Sequence, residues 1–194
     1  MQTNNPIFPT TPLRDAGEAL KLLREGNARF VAGQPCAKDI NEPEREVLAE
    51  GQSPFAIVLC CSDSRVAPET IFDQRLGNLF VLRNAGNVVD ETVLGSIEYG
   101  AEHLGAPLIV VVGHSSCGAV TAVCSQAELP PKVEGIAARI RPSVSEGLSI
   151  DQVAHCHVRK MAAQIADDPL LRELGTTVVA AFFDIARGTV EFLD

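Results

Sequence analysis

Two short stretches carry the residues able to do chemistry. Val58-Leu59-Cys60-Cys61-Ser62-Asp63-Ser64-Arg65 and Gly113-His114-Ser115-Ser116-Cys117-Gly118-Ala119 each follow a nearly continuous apolar run, Phe55 to Leu59 in one case and Leu108 to Val112 in the other. Runs of that kind read as buried parallel strands. In an open parallel sheet, ligands bind beyond the carboxyl ends of the strands, so two such strands side by side bring Cys61, His114 and Cys117 to one crevice. Two thiolates and one imidazole suit zinc. A structural site usually closes with a fourth Cys or His, whereas three protein ligands leave a position for water or substrate. Asp63 and Arg65 lie two apart, so they point the same way on an extended stretch, and a bend brings them into a charge-assisted pair.

Competing readings of these residues are weaker. A thiol-phosphatase loop needs a longer spacing than the four residues between Cys60 and Arg65 or the three between Cys61 and Arg65. A redox pair of Cys60 and Cys61 is disfavoured because neighbours on a strand point to opposite faces. His155-Cys156-His157 suggests a second metal site only until it is placed on a helix, where residues i and i+2 face different ways.

The elements that must position the two stretches follow from pattern. Asp15 to Val31 spaces Ala19, Leu22, Leu23, Phe30 and Val31 as an amphipathic helix. Gln34 to Asn41 is a loop, and Glu42 to Glu50 a short acidic helix. Gly51 to Pro54 turns the chain into the first strand. Ala67 to Phe72 opens a short helix with Pro68 in its first turn, and Leu79 to Leu82 is a second strand ending in the polar loop Arg83 to Asn87. Asp90 caps a helix running to about Leu104, Gly105-Ala106-Pro107 stops it, and Leu108 to Val112 is the third strand. Strand, helix, strand in this order predicts a right-handed parallel crossover. A helix from Gly118 to Gln126 would carry Cys117 at its amino end, where the positive helix terminus favours a thiolate. A less regular helical region leads to Ser149, a helix spans Asp151 to Asp167, Thr177 to Phe182 is a fourth strand, and Thr189 to Leu193 returns as an antiparallel edge. The fold class is therefore α/β: a central, mainly parallel sheet of four strands with an antiparallel edge strand, flanked by helices.

Bulk properties bound the rest. The 194 residues, 46% of them apolar, suffice for one buried core and suggest a single domain over 1–194, with a helical arm over 1–50 and a core over 51–194. A net charge of −9 argues against a nucleic-acid partner. Met1 to Thr11 has no basic and apolar signal pattern, and no run approaches a membrane span, so a cytoplasmic protein is expected. Six Cys without a secretory signal fit metal ligation plus free thiols better than a disulfide framework.

Cys61-Ser62-Asp63-Ser64-Arg65 followed by His114-x-x-Cys117-Gly118 resembles the zinc signature of the beta-class carbonic anhydrases. Leu76 to Asn87 and Ser96-Ile97-Glu98-Tyr99 are similar to that family's middle region, and the likeness runs from about Leu20 to Leu193. The resemblance implies one Zn2+ per chain on Cys61, His114 and Cys117, and reversible hydration of carbon dioxide to bicarbonate and a proton by hydroxide formed at the zinc. It further implies that Asp63 accepts a hydrogen bond at the site while Arg65 holds its carboxylate off the metal; freed, Asp63 would become a fourth ligand and close the site. Val58, three residues before Cys61, resembles the plant-like, open-site group. Gln52, Phe80 and Tyr99, with Gly118, match substrate-pocket positions, and His103 matches a candidate proton shuttle. In the family such a pocket is shared between subunits, which implies a homo-oligomer, a dimer or tetramer. Two alternatives stand beside this reading: hydrolysis of carbonyl sulfide or carbon disulfide on the same scaffold, and a silent zinc- or bicarbonate-binding module.

Overall fold

The computed structural model describes residues 13–36 and 42–193. The stretch Met1 to Thr11 and part of the loop expected over Gln34 to Asn41 lie outside them. In chain order the elements are α1 (Ala16–Val31), α2 (Glu42–Glu50), β1 (Ala56–Cys61), α3 (Pro68–Ile71), β2 (Leu79–Asn84), α4 (Glu91–Glu102), β3 (Leu108–His114), α5 (Gly118–Cys124), α6 (Pro131–Ile140), α7 (Ile150–Ala166), α8 (Pro169–Glu173), β4 (Thr177–Phe183) and β5 (Val190–Leu193). Short 3-10 turns occupy Ala85–Asn87 and Arg141–Ser143.

Continuous apolar runs make β1 and β3 central. Every residue of both is buried, as expected for strands covered on two faces. The sheet order is β2-β1-β3-β4-β5. β1 pairs with β2 and β3 and β3 with β4, all in parallel, while β5 lies antiparallel on β4. The expected sheet of four parallel strands with an antiparallel edge is therefore what forms. Because side chains alternate along a strand, the core divides in two. Ile57, Leu59 and Cys61 of β1 join Ile109 and Val111 of β3 beneath α4 to α8. Ala56, Val58 and Cys60 join Leu108, Val110 and Val112 on the other face, beneath α1 and α3.

Strands run further than their apolar cores. β2 continues to Asn84, paired with Cys61, and β3 to His114, paired with Phe183. Backbone pairing does not stop where the side chains turn polar. α8 was not expected at all; Pro169 is its first residue, and the Asp168 carboxylate accepts from the Leu171 N–H at 3.0 Å.

α1 belongs to its own chain's core. Asp15 caps it by accepting from Glu18 N at 2.8 Å, and Ala19 and Leu23 are fully buried. At Gly26 the helix comes so close to α3 that a Cβ would stand 1.8 Å from the Phe72 carbonyl oxygen, so only glycine permits this packing. The next residue, buried Asn27, donates to the carbonyls of Ile71 and Gly188 and accepts from Val190 N, each at 2.9 Å. α2, by contrast, buries none of its residues.

A buried ion pair fastens α1 to the chain after α3. Arg29 Nε donates to Asp73 Oδ2 at 2.6 Å, and Cys36 N donates to the same oxygen at 3.1 Å. Burial alone would raise the Asp73 pKa, but these donors outweigh it and hold the carboxyl below its usual range. A depressed carboxylate pKa stabilises the fold above the unfolded-state pKa and loses that contribution as pH falls through the folded-state value. Asp73→Asn should therefore cost about 3 kcal/mol near pH 7. Urea denaturation across acidic pH should show the gap from wild type closing as the medium acidifies.

Among the described residues, no helix is long and apolar enough to cross a membrane.

Candidate metal centre

The strand order determines where a site can form. With β2 on one side of β1 and β3 on the other, successive crossovers diverge from β1, and a crevice opens beyond the carboxyl ends of β1 and β3. Cys61 ends β1 and His114 ends β3. Three residues on, Cys117 is the residue from which α5 starts. The candidate ligand atoms of Cys61, His114 and Cys117 lie within 4.8 Å of one another, and all three residues are buried. A tetrahedral ion with bonds of about 2.0–2.3 Å needs ligand atoms somewhat under 4 Å apart, a span this cluster can meet.

The chemistry of the donors fits a cation. His114 Nδ1 lies 2.9 Å from the carbonyl oxygen of Ser115. A carbonyl only accepts, so Nδ1 carries the proton and Nε2 presents a bare lone pair. That Nε2 is buried and has no hydrogen-bond partner among the described residues. An orphaned acceptor facing two sulfurs is costly unless something electropositive sits between them. The two sulfurs act on each other directly. Its neighbour Cys117, aided by backbone N–H groups of Gly86 and Asp63, holds the Cys61 thiol well below its ordinary pKa despite burial. Cys117 is correspondingly pushed up by Cys61 and by burial, although the N–H groups of Ala119 and Val120 at the start of α5 pull the other way. The helix end favours a thiolate there, as expected, but its partner sulfur outweighs it. A dication among the three would satisfy both sulfurs and the imidazole.

Beside the cluster, Asp63 and Arg65 form the expected pair. Arg65 Nε donates to Asp63 Oδ1 at 2.9 Å and Nη2 to Oδ2 at 2.7 Å, while the Arg65 backbone N–H also reaches Oδ1 at 2.9 Å. These bonds hold the Asp63 carboxyl far below the usual range. Both of its oxygens are engaged, and it stands outside the three-residue cluster. Gly118 is exposed next to Cys117, and nothing lies within 4 Å of where its Cβ would be.

Several supporting groups escaped the sequence reading. Arg83, at the end of β2, donates to the carbonyls of Cys61 (3.2 Å) and Asp63 (2.7 Å) and so holds the backbone on either side of Ser62. Gly86 donates its N–H to Cys61 Sγ at 3.3 Å from a left-handed conformation (φ 74°). Asn84 closes that turn, its side chain exchanging hydrogen bonds with Val88 O and N. Ser116, also left-handed (φ 54°), donates to Asp151 Oδ1 at 2.9 Å. The polar loop from Arg83 to Asn87, inside the stretch similar to the family's middle region, was the advance signal for Arg83, Asn84 and Gly86, but it assigned none of them a contact.

The remaining candidates stand apart from the cluster. Phe80 pairs with Ile57, four residues before Cys61 along β1, which places it about 13 Å away. Its ring lies 6.2 Å from that of Tyr99, and Tyr99 meets His103 edge-on at 5.1 Å. His103 is exposed, its Nε2 3.9 Å from the Glu102 carboxylate. Gln52 is exposed ahead of β1, at the opposite end of the strand from Cys61. Within one chain, Gln52, Phe80, Tyr99 and His103 do not reach the metal cluster. His155 and His157 diverge as their spacing requires: His155 stacks on Phe182 at 3.7 Å between centroids, and His157 is buried against Gly86 and Ser143.

The family profile for carbonic anhydrase matches residues 56–190. A solved beta-carbonic anhydrase from Sordaria macrospora, described as tetrameric, superposes with a TM-score of 0.74 at 27% identity, covering 91% of this chain and 95% of that one. The chain belongs to the beta-carbonic anhydrase family. Carbonic anhydrase from Mycolicibacterium smegmatis is 48% identical over 156 residues, 76% of each chain. Carbonic anhydrase 2 of Mycobacterium tuberculosis is 48% identical over 154 residues, 75% of this chain and 74% of its own. The profile spans β1 to β4 and ends where β5 begins, so the family likeness embraces the four parallel strands and the Cys61, His114 and Cys117 cluster.

Proposed function

We propose that this chain interconverts carbon dioxide and bicarbonate at a zinc ion held by the Sγ atoms of Cys61 and Cys117 and Nε2 of His114. The observation that carries this reading is the bare, buried Nε2 of His114 facing two buried sulfurs, with a carboxylate locked by a guanidinium beside them. When bound, zinc would lower the pKa of water and so supply hydroxide near neutral pH. Asp63 is ionised throughout that range, so it acts as an acceptor: it can bind only a group that still carries a proton, and it turns that group's lone pair toward the substrate carbon. Arg65 fixes both oxygens of Asp63, which keeps the carboxylate from swinging onto the metal as a fourth ligand. The site is thereby open, as in the plant-like group. Gly118, exposed next to Cys117 and without a side chain, leaves the approach to the cluster open on that side for a molecule as small as carbon dioxide. The product is an anion, and a proton passes to buffer.

The aromatic patch finds its role in a homo-oligomer, a dimer or tetramer. Gln52, Phe80 and Tyr99, remote from the cluster of their own chain, would line the pocket of a partner, with His103 exchanging protons there. Supporting this are a helix, α2, with nothing buried, and the exposed side chains of Val47 (69%), Leu76 (66%) and Tyr99 (47%).

Stopped-flow hydration of carbon dioxide by the zinc-loaded protein tests the reading. Two thiolates donate more charge than imidazoles, so the activating pKa should lie above the value of about 7 found with three imidazoles. The hydroxide form is the reactive one, so the rate should climb between about pH 6.5 and about pH 9. A profile already flat below neutrality would contradict the two-thiolate assignment. Slow hydration at every pH, with one zinc per chain and release of sulfide from carbonyl sulfide, would replace the substrate.

A further inference from the structure

We propose that His157 is a positioning residue for the metal centre, acting through Gly86. The inference rests on the zinc reading above and concerns a residue 40 positions beyond the last proposed ligand. His157 sits in the middle of α7 and is only 1% exposed. Its Nε2 lies 2.8 Å from the carbonyl oxygen of Gly86, and the N–H of the same Gly86 points at Cys61 Sγ from 3.3 Å. A carbonyl accepts only, so Nε2 carries the proton; Nδ1 is then bare and faces the buried hydroxyl of Ser143 at 3.5 Å. The ring is therefore a neutral, fully used bridge, and burial, which lowers its pKa, keeps it so.

Gly86 explains why a bridge is needed. Its left-handed conformation (φ 74°, ψ 20°) turns its N–H toward the sulfur and its carbonyl toward α7. No larger residue fits, since a Cβ would stand 2.9 Å from Ile140 Cδ1 and 3.1 Å from Ala119 Cβ. Glycine reaches this conformation freely, but for the same reason it is not held there by its own sterics. The hydrogen bond from His157 supplies the missing constraint, so that the N–H stays aimed at Cys61. An N–H donor fixes both the charge and the direction of a ligand thiolate, and loss of such outer partners typically weakens metal binding about 10- to 100-fold.

The test compares wild type, His157→Leu and His157→Gln. The first variant removes the donor; the second keeps an N–H at similar reach. Zinc affinity is read by chelator competition and the sulfur environment by the 113Cd resonance of the cadmium-loaded protein. His157→Leu should bind zinc about 10-fold more weakly and shift the 113Cd resonance, and His157→Gln should restore both. A folded His157→Leu with wild-type affinity and resonance, or a His157→Gln as impaired as His157→Leu, overturns the proposal while leaving the zinc reading intact. Wild type that takes up no zinc overturns both. Should His157→Leu fail to fold, 15N spectra of the wild-type imidazole decide: a ring protonated at Nε2 and bare at Nδ1 between about pH 6 and about pH 8 supports the bridge, and the opposite tautomer or a cationic ring refutes it.

Discussion

Cys61→Ser is expected to leave a folded protein without stoichiometric zinc and without measurable hydration of carbon dioxide. A serine hydroxyl is nearly isosteric with the thiol but does not ionise near neutrality, so the site loses one of its two anionic donors. Changes in outer partners alone cost about 10- to 100-fold in metal affinity; loss of a ligand itself should exceed that, on the order of 1,000-fold. The fold should survive, because Cys61 ends a strand already paired on both sides and packed on both faces. The check is metal content after dialysis, with far-UV circular dichroism and stopped-flow assay on the same sample. Stoichiometric zinc in Cys61→Ser would remove Cys61 from the ligand set.

Asp63→Asn should separate metal binding from catalysis. Asparagine preserves shape but offers Arg65 no charge and presents an amide N–H2 that can donate where the carboxylate only accepted. The turnover number should fall about 100- to 1,000-fold, the range for loss of a positioned proton acceptor, while zinc stays at one per chain. Because Asp63 is held ionised far below the assay range, its removal should lower the whole pH–rate profile without moving its alkaline rise. Activity within a factor of about 10 of wild type would show that Asp63 has no part in orienting the nucleophile. A profile displaced along the pH axis would mean instead that Asp63 tunes the ionisation the rate depends on.

The sheet and the metal cluster were legible in the sequence for one physical reason. Strands buried on both faces need apolar side chains at every position, so Phe55 to Leu59 and Leu108 to Val112 stand out, and a binding site beyond their carboxyl ends must draw on the residues that follow. Cys61, His114 and Cys117 are those residues. The supporting shell was hidden because it is made by contacts without periodicity. Arg83 reaches back 22 residues to Cys61 O, and His157 reaches 71 residues to Gly86 O, each through a side-chain bond to backbone. No local pattern encodes such a bond. α8 was missed for a different reason: Asp168-Pro169 marks a helix start as well as a helix stop, and only the depth of Leu171 in the core tells which. The candidate pocket residues were named from the family resemblance, and their distance from the cluster of their own chain follows from strand register, which pairs Phe80 with Ile57 and not with Cys61.

Neighbouring sulfurs on β1 face opposite cores, and this settles which of them a metal can choose. Burial pushes the Cys60 thiol up to about 12, against the opposing pull of Arg83, and it lies in the core beneath α1 and α3, outside the cluster that gathers Cys61, His114 and Cys117. A shift of β1 by one residue would carry Cys60 into the crevice, and a metal looking only for sulfur would accept the error. The shift would also reverse Ile57 and Leu59 with Ala56 and Val58 on both faces at once. Fidelity at the proposed metal centre would thus come from proofreading by hydrocarbon: the whole strand must be seated before either sulfur is presented, and an ion would inherit a decision that the two cores have already made.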